Sequence, residues 1–280
     1  MKYKLDQKEI RVYHKENSCI FKKNNEEFGA LSNMATGFPL RVNGVDIRTT
    51  EALYQACRFP HLPEIQEKIL EQKSPMLVKM ISNTNKKKSR EDWDNVRLKV
   101  MKWCINIKLA QNFVSFGVAL HETGLKNIVE NSAKDNFWGA IPNEDETIFT
   151  GKNALGRLLM DLRQAFYSKD IYSLLFIEPP QISNFLLFHE PIGIIDERQN
   201  FLASLQNYWK GSYSNGSTVQ TQMETVEVRK QEPEYVTRES KMNVEEQSHE
   251  YETATKTKTK RQSKKKKADT TSQQNLFNNF

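Results

Sequence analysis

The chain is poor in the residues that most often mark a metal site or an oxidising compartment. It has three cysteines, Cys19, Cys57 and Cys104. That odd number, with no C-x-x-C pair, argues against both a disulfide framework and a zinc knuckle. Its five histidines, His14, His61, His121, His189 and His249, stand apart without H-x-x-x-H spacing. Neither a metal nor a cofactor is expected, and chemistry falls to carboxylates. No apolar run approaches the ~18 residues of a membrane span, and the polar, basic N-terminus lacks an apolar signal core. A soluble, intracellular protein with no membrane partner is expected. Hydrophobic residues make up 38% and mean hydropathy is −0.70. Both are low for one globule of this length, so part of the chain is expected to stay unpacked.

The stretch most like a working site is Thr49 to Phe59, TTEALYQACRF. Two hydroxyl residues of N-cap type precede Glu51, which falls in the first turn of a helix. Upstream, Phe38–Val42 and Val45–Thr49 alternate apolar and polar residues around Asn43-Gly44, the signature of a hairpin with a two-residue type I′ turn. The outgoing strand then delivers Glu51 from a rigid support, as a catalytic carboxylate requires. Ordinary helix capping explains the same carboxylate, and on composition alone it is the favoured reading.

Later segments carry further candidates. Ser74-Pro75 reads as an N-cap and N1 proline, and Asp92-Trp93-Asp94 opens the longest helix, with Val96, Val100, Trp103, Cys104 and Ile107 on one face. Trp93 sits at that helix mouth, where an indole plugs the end or stacks on a flat ligand. Asp135 to Gly139 packs a carboxylate, two aromatics and a glycine together, either as a turn beside core rings or as a proton-handling site. Gly151-Lys152-Asn153 precedes an amphipathic helix with Leu155, Leu158, Leu159, Leu162 and Phe166 on one face. Backbone N–H groups and an ammonium at that positive helix end suit a phosphate, although the Walker A spacing is absent.

In order and spacing, these blocks and Phe28-Gly29-Ala30-Leu31-Ser32-Asn33 resemble the NADAR, or YbiA-like, family over roughly residues 21–166. The resemblance implies an α+β domain, mostly helical with a small antiparallel sheet, and an N-glycosidase acting on phosphorylated ribosyl-base compounds. Some relatives act on intermediates of riboflavin synthesis, others on ADP-ribose attached to guanine in nucleic acid. It implies Glu51 and Asp135 as the catalytic pair, with Phe28, Asn33, Trp93, Trp138, Lys152 and Asn153 around the substrate. The chain departs from many relatives in having Ala52 where they have His and Arg58 where they have Lys.

The expected organisation is an N-terminal arm (1–20), the YbiA-like domain (21–168), an extension packed on it (169–210) and a tail (211–280). The tail is rich in Ser, Thr, Gln, Glu and Lys and is expected to be disordered. Its charge is blocked: residues 221–255 hold nine acids against four bases, and residues 256–267 hold eight bases and no acid. That basic run reads as a nucleic-acid or nuclear-import patch, giving a nuclear location in a eukaryote, or as a plain solvated segment. Residues 273–280 look like a sliding-clamp-binding peptide with an incomplete aromatic pair.

Overall fold

The computed structural model describes residues 9–204. The expected disordered tail, its basic run and the clamp-like peptide lie outside those residues.

The elements form an α+β architecture. Strands β1 (Arg11–His14) and β2 (Ser18–Phe21) lead to the hairpin β3 (Leu40–Val42) and β4 (Val45–Ile47). Asn43 and Gly44 take φ of 49° and 79°, both left-handed, as the two-residue type I′ turn requires. Five helices follow: α1 (Thr50–Ala56), α2 (Pro63–Leu70), α3 (Pro75–Thr84), α4 (Trp93–Gln111) and α5 (Phe113–Glu122). Thr49 caps α1, its Oγ1 accepting from Ala52 N at 3.2 Å. Prolines occupy the first turns of α2 and α3, where their missing N–H costs nothing. Next come β5 (Asn127–Glu130), β6 (Ile141–Pro142), β7 (Ile148–Gly151) and α6 (Ala154–Ser168).

The sheets are small. An antiparallel three-stranded sheet runs β1-β7-β6, and β2 pairs in parallel with β5, Phe21 opposite Glu130. That parallel ladder joins segments more than a hundred residues apart, so no local pattern announces it. Part of the N-terminal arm (1–20) is held against the domain. Residues 11–14 pair along β7, and Tyr13 is buried with Val129, Ala140 and Phe149 in a minor core.

The main core gathers α1, the hairpin, α4 and α6. Val96, Val100, Trp103, Cys104 and Ile107 are all buried, as their spacing predicts. The extension contributes to this core. It folds as α7 (Ile171–Leu174), β8 (Phe176–Ile177), β9 (Leu186–Leu187), β10 (Glu190–Pro191) and β11 (Ile195–Asp196), with helical turns at 198–204. Its Phe185, Leu187, Ile192 and Ile195 are buried in the main cluster, and Phe185 meets Trp103 edge to face at 4.9 Å. All three cysteines are buried free thiols. Among the described residues no helix is long and apolar enough to cross a membrane.

Candidate active site

A cavity of about 320 Å³ opens where α1, α3, α4 and the loop after β5 meet, and Glu51 lies in its wall. Glu51 is 7% exposed. Its backbone N donates to Asn33 O at 2.9 Å, which ties the loop before the hairpin to the head of α1. Its Oε1 accepts from Gln55 Nε2 at 2.8 Å, a contact between residues one helical turn apart. Behind it the polar chain continues: Ser82 Oγ donates to Gln55 Oε1, and Arg58 donates through Nη1 to Ser82 Oγ and through Nε to Ser89 Oγ. Burial raises the Glu51 carboxyl above its ordinary range, while Gln55 and Lys79 oppose the rise.

Aromatic rings form one wall. Tyr54 lies 5.1 Å from Trp93 and 5.6 Å from Trp138, and Trp138 lies 5.0 Å from Phe137. Tyr54, Trp93, Phe137 and Trp138 all line the cavity. The Arg97 guanidinium stands 3.7 Å from the Phe137 ring centre. Such a wall accepts a flat ring by stacking. Lys79, Lys86, Arg58 and Arg97 supply positive charge around the same space.

Of the residues singled out in the sequence, Glu51, Asn33, Trp93, Asp135 and Trp138 come together here. Asn33 is 4% exposed; its Nδ2 rests on Met101 Sδ and its Oδ1 has no partner, leaving an acceptor free for a ligand. Asp135 Oδ1 accepts from the amides of Phe137 and Trp138, both at 2.9 Å, so this oxygen organises its own loop.

Phe28, Lys152 and Asn153 are not in the cavity wall. Phe28 packs against the main core. The expected phosphate seat before α6 is closed by protein. The amides of Lys152, Asn153, Ala154 and Leu155 donate to the carbonyls of Asn136, Gly139, Phe137 and Trp138. The Lys152 ammonium is paired with Glu9 and lies 5.0 Å from the Phe137 ring. Asn153 takes a left-handed conformation, φ 50° and ψ 46°, which Asn tolerates better than most residues. Its side chain clips β5 at two points, Nδ2 donating to Ile128 O at 2.8 Å and Oδ1 accepting from Glu130 N at 3.1 Å. A Cβ at Gly156 would sit 2.1 Å from Ile128 O, so glycine there lets α6 lie directly on β5. The Asn-x-x-Gly spacing fastens a helix to a strand.

The structure adds Tyr54, Gln55, Arg58, Lys79, Arg97 and Glu130 to the candidate set. Gln55 was legible as an i+4 neighbour of Glu51, and Arg97 as an i+4 neighbour of Trp93. Glu130 had no local signal. A larger recess of about 610 Å³ lies between α4, α6 and the extension. Asp161 and Glu178 are its only carboxylates, and none of the cavity residues above borders it, so we place the site at the smaller cavity. Among the described residues, no group of three His, Cys, Asp or Glu is arranged to hold a metal ion.

These features define an α+β protein with an acidic cavity walled by aromatic rings and rimmed by cations. A family model described as the NADAR domain matches residues 20–167, and the chain belongs to the NADAR family. It is 31% identical over 156 residues to N-glycosidase YbiA of Shigella sonnei, covering 55% of this chain and 92% of that one. A riboflavin biosynthesis protein of Vibrio vulnificus is 29% identical over 177 residues, covering 62% of this chain and 46% of that one. The NMR structure of Escherichia coli YbiA gives a TM-score of 0.46 at 28% identity, covering 54% of this chain and 85% of that one.

Proposed function

We propose that the protein is an N-glycosidase that hydrolyses the bond between a phosphorylated ribose and a base, and that its substrate is ADP-ribose on guanine in nucleic acid. The observation that carries the reading is Glu51, buried in a cavity wall beside packed indole and phenol rings and held by a hydrogen-bonded relay. Cleavage of an N-glycosidic bond builds positive charge at the anomeric carbon, and a fixed carboxylate stabilises that charge or takes a proton from the attacking water. The aromatic wall suits the base, the cations suit phosphate, and Asp135 suits the ribose hydroxyls through the oxygen its loop does not use. Similar proteins named N-glycosidases support the reaction class. Three consecutive lysines, Lys86–Lys88, form a 3-10 turn, and Lys86 itself lines the cavity. Cations there favour a polyanion over a small metabolite.

A second substrate, an intermediate of riboflavin synthesis, is favoured by the name of the Vibrio relative. The test is to incubate the protein with an oligonucleotide carrying ADP-ribosyl-guanine, and separately with a ribosylaminouracil phosphate, following release of the sugar. Release by the unaltered protein and not by Glu51→Gln supports the reading. ADP-ribose binding without release from either compound makes the protein a reader and overturns it.

A further inference from the structure

Glu130 ends β5 and lines the cavity together with Glu51 at the head of α1. Its backbone is fixed from three directions: N donates to Asn153 Oδ1, O accepts from Ala140 N at 2.8 Å, and the residue pairs with Phe21 across the parallel ladder. Its side chain lines the cavity with Glu51 and Asp135. Unlike theirs, its Oε2 is sealed from solvent and meets no hydrogen-bond donor. A carboxylate oxygen buried without a donor is costly when ionised, and protonation removes the cost.

We propose that Glu130, not Asp135, is the acid that protonates the departing base, so that Glu51 and Glu130 form the catalytic pair. This rests on the N-glycosidase reading above. The two carboxyls differ in their surroundings. Glu51 has the Gln55 donor, which favours its ionised form, and Glu130 has none. Asp135 has its Oδ1 taken by two amides of its own loop. In the step, a water oxygen bonds to the anomeric carbon as the carbon–nitrogen bond breaks. The electron pair of that bond leaves on the base nitrogen, which receives the Glu130 proton, and Glu51 takes the proton lost by the water. Exchange with solvent returns both acids to their starting states.

Burial lifts the Glu130 carboxyl to about 7, helped by the negative charges of Glu51 on α1 and Asp135 on the following loop and opposed by Lys79 on α3. Arg58, Lys86, Asp94 and Arg97 are the other charged groups around the cavity. The proton is therefore available near neutrality.

The test compares two leaving groups. One substrate is whichever base-bearing compound above the unaltered protein cleaves. The other is a nitrophenyl riboside 5-phosphate, whose leaving group departs as a stable anion. Glu130→Gln is expected to slow release of the base by about 10²–10⁴-fold and to change nitrophenol release little. The unaltered protein, which needs no variant to fold, is expected to lose activity above about pH 7 on the base-bearing substrate only. Unchanged base release in Glu130→Gln, equal loss on both substrates, or an alkaline limb common to both overturns the assignment. A protein inactive on every compound overturns the glycosidase reading itself, a different result from an active protein indifferent to Glu130.

Discussion

Gln55 Nε2 donates to Glu51 Oε1 at 2.8 Å inside the protein, and that bond opposes the rise that burial imposes on the carboxyl. It favours the ionised form against a burial that disfavours it. Gln55→Leu should therefore push the Glu51 carboxyl higher and move the acidic limb of the pH–rate profile to higher pH. The variant also leaves Ser82 Oγ without its acceptor, at a cost of about 1–3 kcal/mol. A pH profile alongside a urea denaturation curve separates the two effects, and an unmoved limb would refute the first.

Glu51→Gln keeps an acceptor oxygen for Gln55 and removes the base. Turnover should fall by about 10²–10⁴-fold with little change in melting temperature. Steady-state kinetics beside calorimetry checks both statements.

Stability should fall as pH rises through the slightly acidic range. A buried carboxyl whose folded value lies above its unfolded one binds its proton more tightly in the folded state. Its contribution is full below about 4.5 and lost as pH approaches 7, the limits for Glu130. The change is about 3 kcal/mol at most. Melting temperature against pH should show this decline, and Glu130→Gln should flatten it.

Lys79 lowers the carboxyls of both Glu51 and Glu130. Lys79→Met should raise KM for a phosphorylated substrate several-fold and weaken the salt dependence of kcat/KM. An unaltered KM at low ionic strength would assign phosphate binding elsewhere in the cavity.

What was legible in the sequence was what is local. The Asn43-Gly44 turn, the Thr49 cap and the one-sided stripe of α4 each rest on a few adjacent residues. The position of Glu51 at the head of α1 followed from them. Glu130 was invisible because the pairing of β2 with β5, which aims it, joins residues distant in sequence. The same distance explains the misread phosphate seat. Gly151-Lys152-Asn153 has the local chemistry of an anion site, but the loop at 136–139 and Glu9 reach it first. The pairing of the 1–20 arm was hidden for a related reason, since a short polar strand shows its worth only when its partner is known.

Phe185 sits against Trp103 on α4, outside the residues matched to the family. Because the extension fills the main core, Phe185→Ala should cost about 3–5 kcal/mol, as any large deletion within a packed interior does. The border of the inherited domain and the border of the cooperative unit are thus different lines. Trp93 and Arg97 stand on the same helix as Trp103, so a substitution in the extension that disturbs Trp103 bears on the wall of the candidate cavity.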